Sequence, residues 1–374
     1  MMAAKRTNAS PPPAVLSDEA VLDELLSQFP RSRTRPNTAD GTDEGLESAR
    51  QGGRYSLPQA PAVSPASIPL QLLVYGCPGS GKSHYLHETC AAEVSHAITI
   101  VFHPETVYAD FVGVYRPCPI YGSEGARDFT DECGRPREHG EPFVTYEFVP
   151  GPLIDAYCFA KTNPRETVAL IIEEISRANA ALVFGDMLQL LDRSDGGGDV
   201  VPGESVYAIQ PKPEIANYLL KNGCASPHDT TMRFPANLYI WASMNRADQN
   251  ARQLDAAFLR RWRKRYLSFA APCVYGDTAI QLPGGKTTTW DTLRSALNAR
   301  LEGIVPEDKL IGPYFLPQSC LGSKESIADD LLGYLWSDVL KSRTSELFLY
   351  PSFAQVRDAW IHGPDMPLTG IALG

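Results

Sequence analysis

The stretch "GCPGSGKS", residues 76–83, constrains the fold of this chain more than any other. It follows an apolar run, "LQLLVY" (70–75), and opens a segment with helical spacing, "KSHYLHETCAAEV" (82–94). A G-x-x-x-x-G-K-[ST] pattern between a strand and a helix serves one purpose physically. Glycines let consecutive backbone N–H groups curl around phosphate oxygens, and the positive helix end adds to the field. Gly76, Cys77, Pro78, Gly79, Ser80, Gly81, Lys82, Ser83 and His84 are therefore the expected phosphate cradle. Lys82 is placed to reach the β- and γ-phosphates and the Ser83 hydroxyl to ligate Mg²⁺. Cys77 reads as a small filler whose thiol could be oxidation-sensitive.

The rest of the chain alternates in the way such a loop requires. "AITIVF" (97–102), "VALII" (168–172), "NLYIWAS" (237–243) and "RYLSFA" (265–270) read as strands. "GPLIDAYCFAK" (151–161), "AALVFGDMLQLLDR" (180–193) and "ARQLDAAFLRRW" (251–262) read as helices between them. The expected fold is α/β, a parallel sheet covered by helices on both faces, over residues 68–272. From 273 to 374 the pattern is helical, in "TTTWDTLRSALNARLEGI", "SIADDLLGYLWSDVLKSR" and "SFAQVRDAW", and reads as a small α-helical domain. Residues 1–67 read as mostly disordered, with one short helix at 17–29 capped by Ser17. Two Gly-, Pro- and charge-bearing excursions, 116–142 and 193–235, interrupt the α/β part. The second carries a possible strand, "ESVYAI" (204–209), and a helix, "PEIANYLLKN" (213–222).

Bulk properties exclude some partners. A formal charge of −10 gives the chain no overall attraction for nucleic acid or an anionic membrane, so any DNA contact must be local. No apolar run is long enough to span a bilayer, and "MMAAKRTNASPPPAV" lacks the apolar core of a signal peptide. Eight scattered cysteines without a C-x-x-C pair suit free thiols in a reducing cytoplasm. His84, His87 and Cys90 share a helix, but without partners at zinc spacing they read as ordinary helix-surface residues.

Strand "VALII" ends in Glu173 and Glu174. Acids suit the first turn of a helix. Opposite a phosphate loop they also suit a metal-side carboxylate, Glu173, and a water-polarising one, Glu174. Glu173 lengthens the usual Asp arm by one methylene. Mg²⁺ often keeps its waters, so an outer-sphere role is open, with slow turnover the consequence. Strand "NLYIWAS" delivers Asn245, an amide suited to the lytic water or the γ-phosphate. Asp248 stands at a spacing that resembles the guanine-reading element of GTPases, although a helix-capping role competes. Arg260 and Arg261, inside a basic run, fit arginine fingers lent to a neighbouring subunit.

Taken together, these residues resemble an AAA+ ATPase. "FHPETVYADFVGVYRP" (102–117), "IIEEISRANAALVFGDMLQLLD" (171–192), "MNRADQNARQLDAAFLRRW" (244–262) and "IGPYFL" (311–316) resemble, in order, the motifs of the McrB-like branch, the motor of methyl-directed restriction systems. "FVPGPL" (148–153) is shared with MoxR-type chaperones. The resemblance implies a P-loop AAA+ core with an α-helical lid. It also implies Lys82 and Ser83 at nucleotide and metal, Glu173 and Glu174 as the acidic pair, Asn245 as sensor, and Arg260 and Arg261 as fingers. Glu173, Ser176, Arg246 and Pro313 depart from the motifs, where the branch has Asp, Asn, Thr and His. Arg246 removes the basis for carrying over GTP, so ATP is expected and GTP is the alternative, each with Mg²⁺. Residues 1–67 are too short and polar for a domain that reads methylated DNA.

The implied activity is that of a ring-forming homo-oligomer, expected as a hexamer. It would drive or regulate a separately encoded effector, nuclease-type, in antiphage defence, with direct nucleic-acid binding left open. The alternatives are a nucleotide-bound scaffold with weak hydrolysis, which Glu173 motivates, and a MoxR-like remodelling chaperone.

Overall fold

The computed structural model describes residues 68–121, 142–197, 200–229, 231–245, 254–371 and 373, all within one compact unit, Pro58–Gly374. The helix expected at 17–29, and Cys133, Arg246 and Asp248, lie outside the described residues.

Five strands form one parallel sheet in the order β2-β5-β6-β1-β7. They are β1 (Gln71–Gly76), β2 (His96–Val101), β5 (Val168–Glu173), β6 (Leu238–Met244) and β7 (Arg263–Leu267). The α/β expectation holds. β5 and β6 are buried along their whole length, whereas the edge strands β2 and β7 are largely exposed. Strand period decides which layer each residue joins. In β5, Val168, Leu170 and Ile172 pack into one core with helix α3 (Pro152–Thr162). Ala169 and Ile171 point the other way, to Leu86 and Cys90 of α1, a continuous helical stretch from Lys82 to Glu93. β6 divides likewise, Ile240 to the first face and Trp241 to the second. Each large side chain fully buried this way is worth about 1.5–3 kcal/mol.

Between β2 and α3 the chain forms α2 (Tyr108–Phe111) and a ribbon of β3 (Gly113–Tyr121) paired antiparallel with β4 (Pro142–Pro150). The excursion expected over 116–142 therefore opens and closes in strand. It accommodates Pro117 and Pro119 because a two-stranded ribbon leaves outward edges where a missing N–H costs nothing.

The helix expected over 180–193 is α4 (Ala180–Phe184) followed by a 3-10 stretch (Gly185–Leu191). It breaks at Gly185, whose φ is +54° and where a Cβ would meet the Tyr108 ring at 2.9 Å. No strand forms over 204–209. Only single bridges, Arg193 to Ser205 and Ile209 to Met232, hold that stretch, reinforced by the buried Ser205 hydroxyl, which donates to Leu190 O (2.6 Å) and accepts from Phe234 N (2.9 Å). Helix α5 (Pro213–Lys221) forms where the Pro start and Gly stop place it. Of the helix expected over 251–262, the described part is α6 (Ala256–Leu259), N-capped by Asp255, whose carboxylate accepts from Phe258 N at 2.6 Å.

Beyond β7, a second core gathers residues from Ile280 to Leu368 around Trp290 and Trp360. Thr287–Thr289, expected as helix, form strand β9, paired with β8 (Ala279–Gln281). Thr289 then caps α7 (Trp290–Leu301). Helical turns run from Lys324 to Leu340 as α8, which kinks where Lys341 turns to φ +50° and passes into a 3-10 stretch, Lys341–Glu346. Helix α9 (Phe353–His362) follows. No helix among the described residues is long and apolar enough to cross a membrane.

Candidate functional site

The sheet's register brings the site together. Tyr75 lies beside Met244, Gly76 beside Leu267, and Ile172 beside Ala242. Gly76, the Glu173–Glu174 pair and Asn245 therefore leave the sheet along one carboxyl edge, where open parallel sheets bind ligands.

Between β1 and α1 the glycine-rich loop bends through positive φ at Gly79 (+74°) and Gly81 (+87°), a region other L-residues rarely enter. Lys82 is buried, and its ammonium donates to Gly76 O at 3.2 Å and Cys77 O at 3.0 Å. Burial lowers its proton affinity, while the carboxylate of Glu174, then Cys77 and Glu173, push it back up. A cation resting on neutral carbonyls gains from an arriving phosphate oxygen. The Ser80 hydroxyl is buried and makes no hydrogen bond within the described residues. Ser83 and His84, at the helix start, are exposed. Cys77 is 3% exposed and its thiol is pushed up to about 11, chiefly by burial, with Lys82 opposing. Both fit the small filler expected at this position, since the thiolate is the reactive form and burial disfavours it.

A segment far along the chain braces the loop. Gly312 N–H donates to Pro78 O (2.9 Å) and Tyr314 N–H to Gly79 O (2.7 Å). The segment is itself fixed by α7. Asn298 bonds both Ile311 N and Ile311 O at 2.8 Å, and the Trp290 indole donates to Pro313 O at 2.8 Å. The Tyr314 ring stacks parallel to His84, centroids 6.4 Å apart.

Opposite the loop, both Glu173 oxygens are engaged. His87 Nε2 lies 3.2 Å from Oε1, and the Ser243 hydroxyl bonds Oε2. His87 is therefore not the ordinary surface residue expected, and Cys90 is wholly buried. Glu174 adopts φ +56°, a strained conformation for a side-chain-bearing residue and one that clusters at functional sites. Its N–H donates to Ser243 Oγ at 3.1 Å, and its carboxylate lies 3.7 Å from Arg177 Nε. Asn179 caps α4. Asn245 is at the edge as expected, its buried Oδ1 without a hydrogen bond among the described residues and its carbonyl within 3.5 Å of Ser176 Oγ.

The two arginines part company. Arg261 is fixed to Asp192 of the same chain, with Nη2 3.0 Å and Nε 3.1 Å from Oδ2, and it also donates to Ala257 O. Arg260 is exposed. Beside the loop, a cavity of about 410 Å³ is lined by Tyr75, Gly76, Cys77, Tyr266 and Glu307, within the range of small-ligand pockets.

These groups fit a magnesium nucleotide. The curled loop and buried lysine suit a triphosphate, the orphaned Ser80 and Asn245 oxygens leave polar capacity at the edge, and Ser83 with Glu173 offers the oxygen donors a hard cation takes. His87, Ser243 and Asp192 escaped the sequence reading. One faint signal existed: His87 follows Ser83 by four residues, one helical turn, and so shares its face.

No family model matches the chain. Over 296 residues it is 40% identical to a component, YdiS, of the type II restriction enzyme BsuMI of Bacillus subtilis strain 168, covering 76% of this chain and 84% of that one. Over 201 residues it is 24% identical to the EcoKMcrB subunit of the type IV methyl-directed restriction enzyme of Escherichia coli K12. That match covers 52% of this chain and 35% of the relative, so the chain spans about a third of that protein's length. A solved structure from Cytophaga hutchinsonii, described as a candidate ATPase, is 14% identical and covers 76% of this chain and 67% of its own, with a TM-score of 0.27, too loose a likeness to argue from. With the ordered motifs from Gly76 to Phe315 and the 40% relative, the chain belongs to the McrB-like family of AAA+ proteins.

Proposed function

We propose that this chain is a nucleoside triphosphatase that assembles into a homo-oligomeric ring, expected as a hexamer, and drives or regulates a separate effector of the nuclease type in restriction-based defence. The observation that carries the reading is the Lys82 ammonium held inside the glycine loop, on Gly76 O and Cys77 O, at the sheet edge where Glu173, Glu174 and Asn245 emerge. The partner part rests on names alone, since one relative is a component and the other a subunit of a restriction enzyme.

In this reading Lys82 and the loop amides bind the phosphates, and Ser83 with Glu173 holds Mg²⁺. The ion would supply charge neutralisation at the β- and γ-oxygens. Glu174 takes up the proton of the attacking water, and Asn245 orients that water. Arg260, exposed after α6, is the finger lent to the neighbouring subunit. Arg261 is the positioning residue, tying this turn to Asp192. ATP is favoured over GTP, the base lodging in the cavity beside Tyr75 and Tyr266. The helical part beyond residue 273 acts as a lid, joined to the loop through Gly312 and Tyr314. A cytoplasmic site suits the seven described cysteines, all free thiols.

The test is assembly and turnover with ATP and GTP for the wild type, Lys82→Ala, Glu174→Gln and Arg260→Ala. Lys82→Ala should lose binding. Glu174→Gln should bind and assemble but not turn over. Turnover undiminished in Glu174→Gln removes the assignment. A second reading, a nucleotide-loaded scaffold with weak hydrolysis, draws on the engagement of both Glu173 oxygens by protein donors. Under it, wild-type turnover stays slow even in the assembled ring with any partner bound.

A further inference from the structure

Glu173 is the residue at which this chain departs from the acid its resemblance implies, and both of its carboxylate oxygens are engaged. The Ser243 hydroxyl accepts the Glu174 N–H at 3.1 Å, so its single proton is directed at Glu173 Oε2. On the other side, His87 Nε2 faces Oε1 at 3.2 Å. An ionised carboxylate only accepts, so this nitrogen carries the proton. His87 stands on α1 one turn beyond Ser83, the residue that would share the ion with Glu173. Glu173 is about nine-tenths buried, and its longer arm is prevented from sweeping the space in front of the loop.

We propose that His87 is a positioning residue for Glu173, clamping the longer carboxylate with Ser243 so that it meets magnesium through a coordinated water. Each Glu173 oxygen gives one lone pair to a protein donor and keeps another for such a water. Mg²⁺ sheds its waters reluctantly, so a set-back carboxylate with a fixed orientation is a workable partner where a mobile one is not. Groups that orient a metal's ligands in this way are worth about ten- to a hundredfold in metal affinity. The pairing is specific to the longer arm, because an aspartate at 173 is one methylene short of His87. The inference rests on the magnesium-nucleotide reading above.

The experiment is a thermodynamic cycle read by binding. Affinity for ATP is measured at stepped Mg²⁺ concentrations and in EDTA, for the wild type, His87→Ala, His87→Gln, Glu173→Asp and the His87→Ala/Glu173→Asp pair. His87→Ala should raise the Mg²⁺ concentration for half-maximal nucleotide binding by about ten- to a hundredfold, with metal-free affinity unchanged. His87→Gln, which keeps a donor near the Nε2 position, should restore most of the loss. In the Glu173→Asp background His87→Ala should have no further effect. Equal effects of His87→Ala in both backgrounds, or equal loss of metal-free binding, would overturn the proposal. If His87→Ala does not fold, His87→Met set against His87→Gln decides, since a purely space-filling role predicts that the two bind alike and the positioning role that only Met shows the loss. Wild-type binding that ignores Mg²⁺ would refute the underlying reading instead.

Discussion

Gly312 lies against Gly79 so closely that a Cβ added to it would stand 2.3 Å from the Gly79 carbonyl carbon and 2.4 Å from Ser80 N. Both obstacles are backbone, so neither can swing aside as a side chain would. Gly312→Ala should push the bracing segment off the loop and lose the donations to Pro78 O and Gly79 O. The expected cost is roughly 1–3 kcal/mol of stability, with nucleotide affinity falling further. Gly322→Ala is the control, since an added Cβ there meets nothing within 4 Å. Thermal melts with and without nucleotide read both effects. If the two variants melt and bind alike, the loop does not depend on this contact.

Arg260 and Arg261 are adjacent but should fail differently. Arg261→Ala removes a part-buried bridge to Asp192 and a bond to Ala257 O. It should destabilise the single chain, and Asp192→Asn should do much the same. The double variant should cost less than the sum by roughly 0.5–3 kcal/mol. Arg260→Ala should leave the melting temperature and nucleotide affinity intact while turnover in the assembled state drops by about 10³-fold or more. Denaturant melts and turnover assays separate the two. The reverse pattern would exchange the roles.

The parts of the molecule legible in its sequence are those whose cause is local. The alternation of apolar runs, the glycine loop ahead of Lys82, and the acids closing β5 are each set by spacing within a few residues. The Glu173–His87 pair joins residues 86 apart, and the Glu173–Ser243 bond joins residues 70 apart. Only the register of β5 against β6 brings the second about, and no spacing rule encodes it. The Gly312 brace is longer-ranged still. Thr287–Thr289 misled for another reason. A polar run leading into an amphipathic helix looks like its first turn, yet β-branched threonines suit a strand, and β8 supplies the pairing partner.

Arg193 should be among the least replaceable residues in the chain. Its part-buried guanidinium donates to Gly203 O (3.0 Å), Pro235 O (3.0 Å) and Leu238 O (2.9 Å), with the Phe234 ring 5.2 Å away. Burial draws its pKa down to about 9, so it remains charged at neutral pH. It thereby ties the start and end of the 193–235 excursion to the foot of β6. Arg193→Met keeps the apolar stem but takes a donor from each of these carbonyls; Pro235 O retains the Leu238 N–H at 3.1 Å, and a carbonyl left unsatisfied costs about 1–3 kcal/mol. The expected loss is at least about 2 kcal/mol in urea unfolding. Arg193→Lys should recover part of it, because an ammonium serves fewer carbonyls than the planar fork. A loss below about 1 kcal/mol would mean that the excursion is held by something else.

Cys77 should be inert despite sitting in the glycine-rich loop beside Lys82. Its thiol is buried and raised from an ordinary 9.0 to about 11 by desolvation, with the Lys82 charge only partly opposing. Between those values the unfolded chain gives up the proton first. Stability is therefore whole below pH 9, and this residue's share of it declines as pH climbs toward 11. At pH 8 the native thiol holds its proton and presents almost no surface, so iodoacetamide should leave it unmodified while labelling it fully in denaturant. Mass spectrometry of the peptide spanning residues 76–82 reads the result directly. Labelling of the native, nucleotide-free protein at a rate comparable to the denatured chain would show that the loop opens far more readily than its bonds to Gly312 and Tyr314 permit.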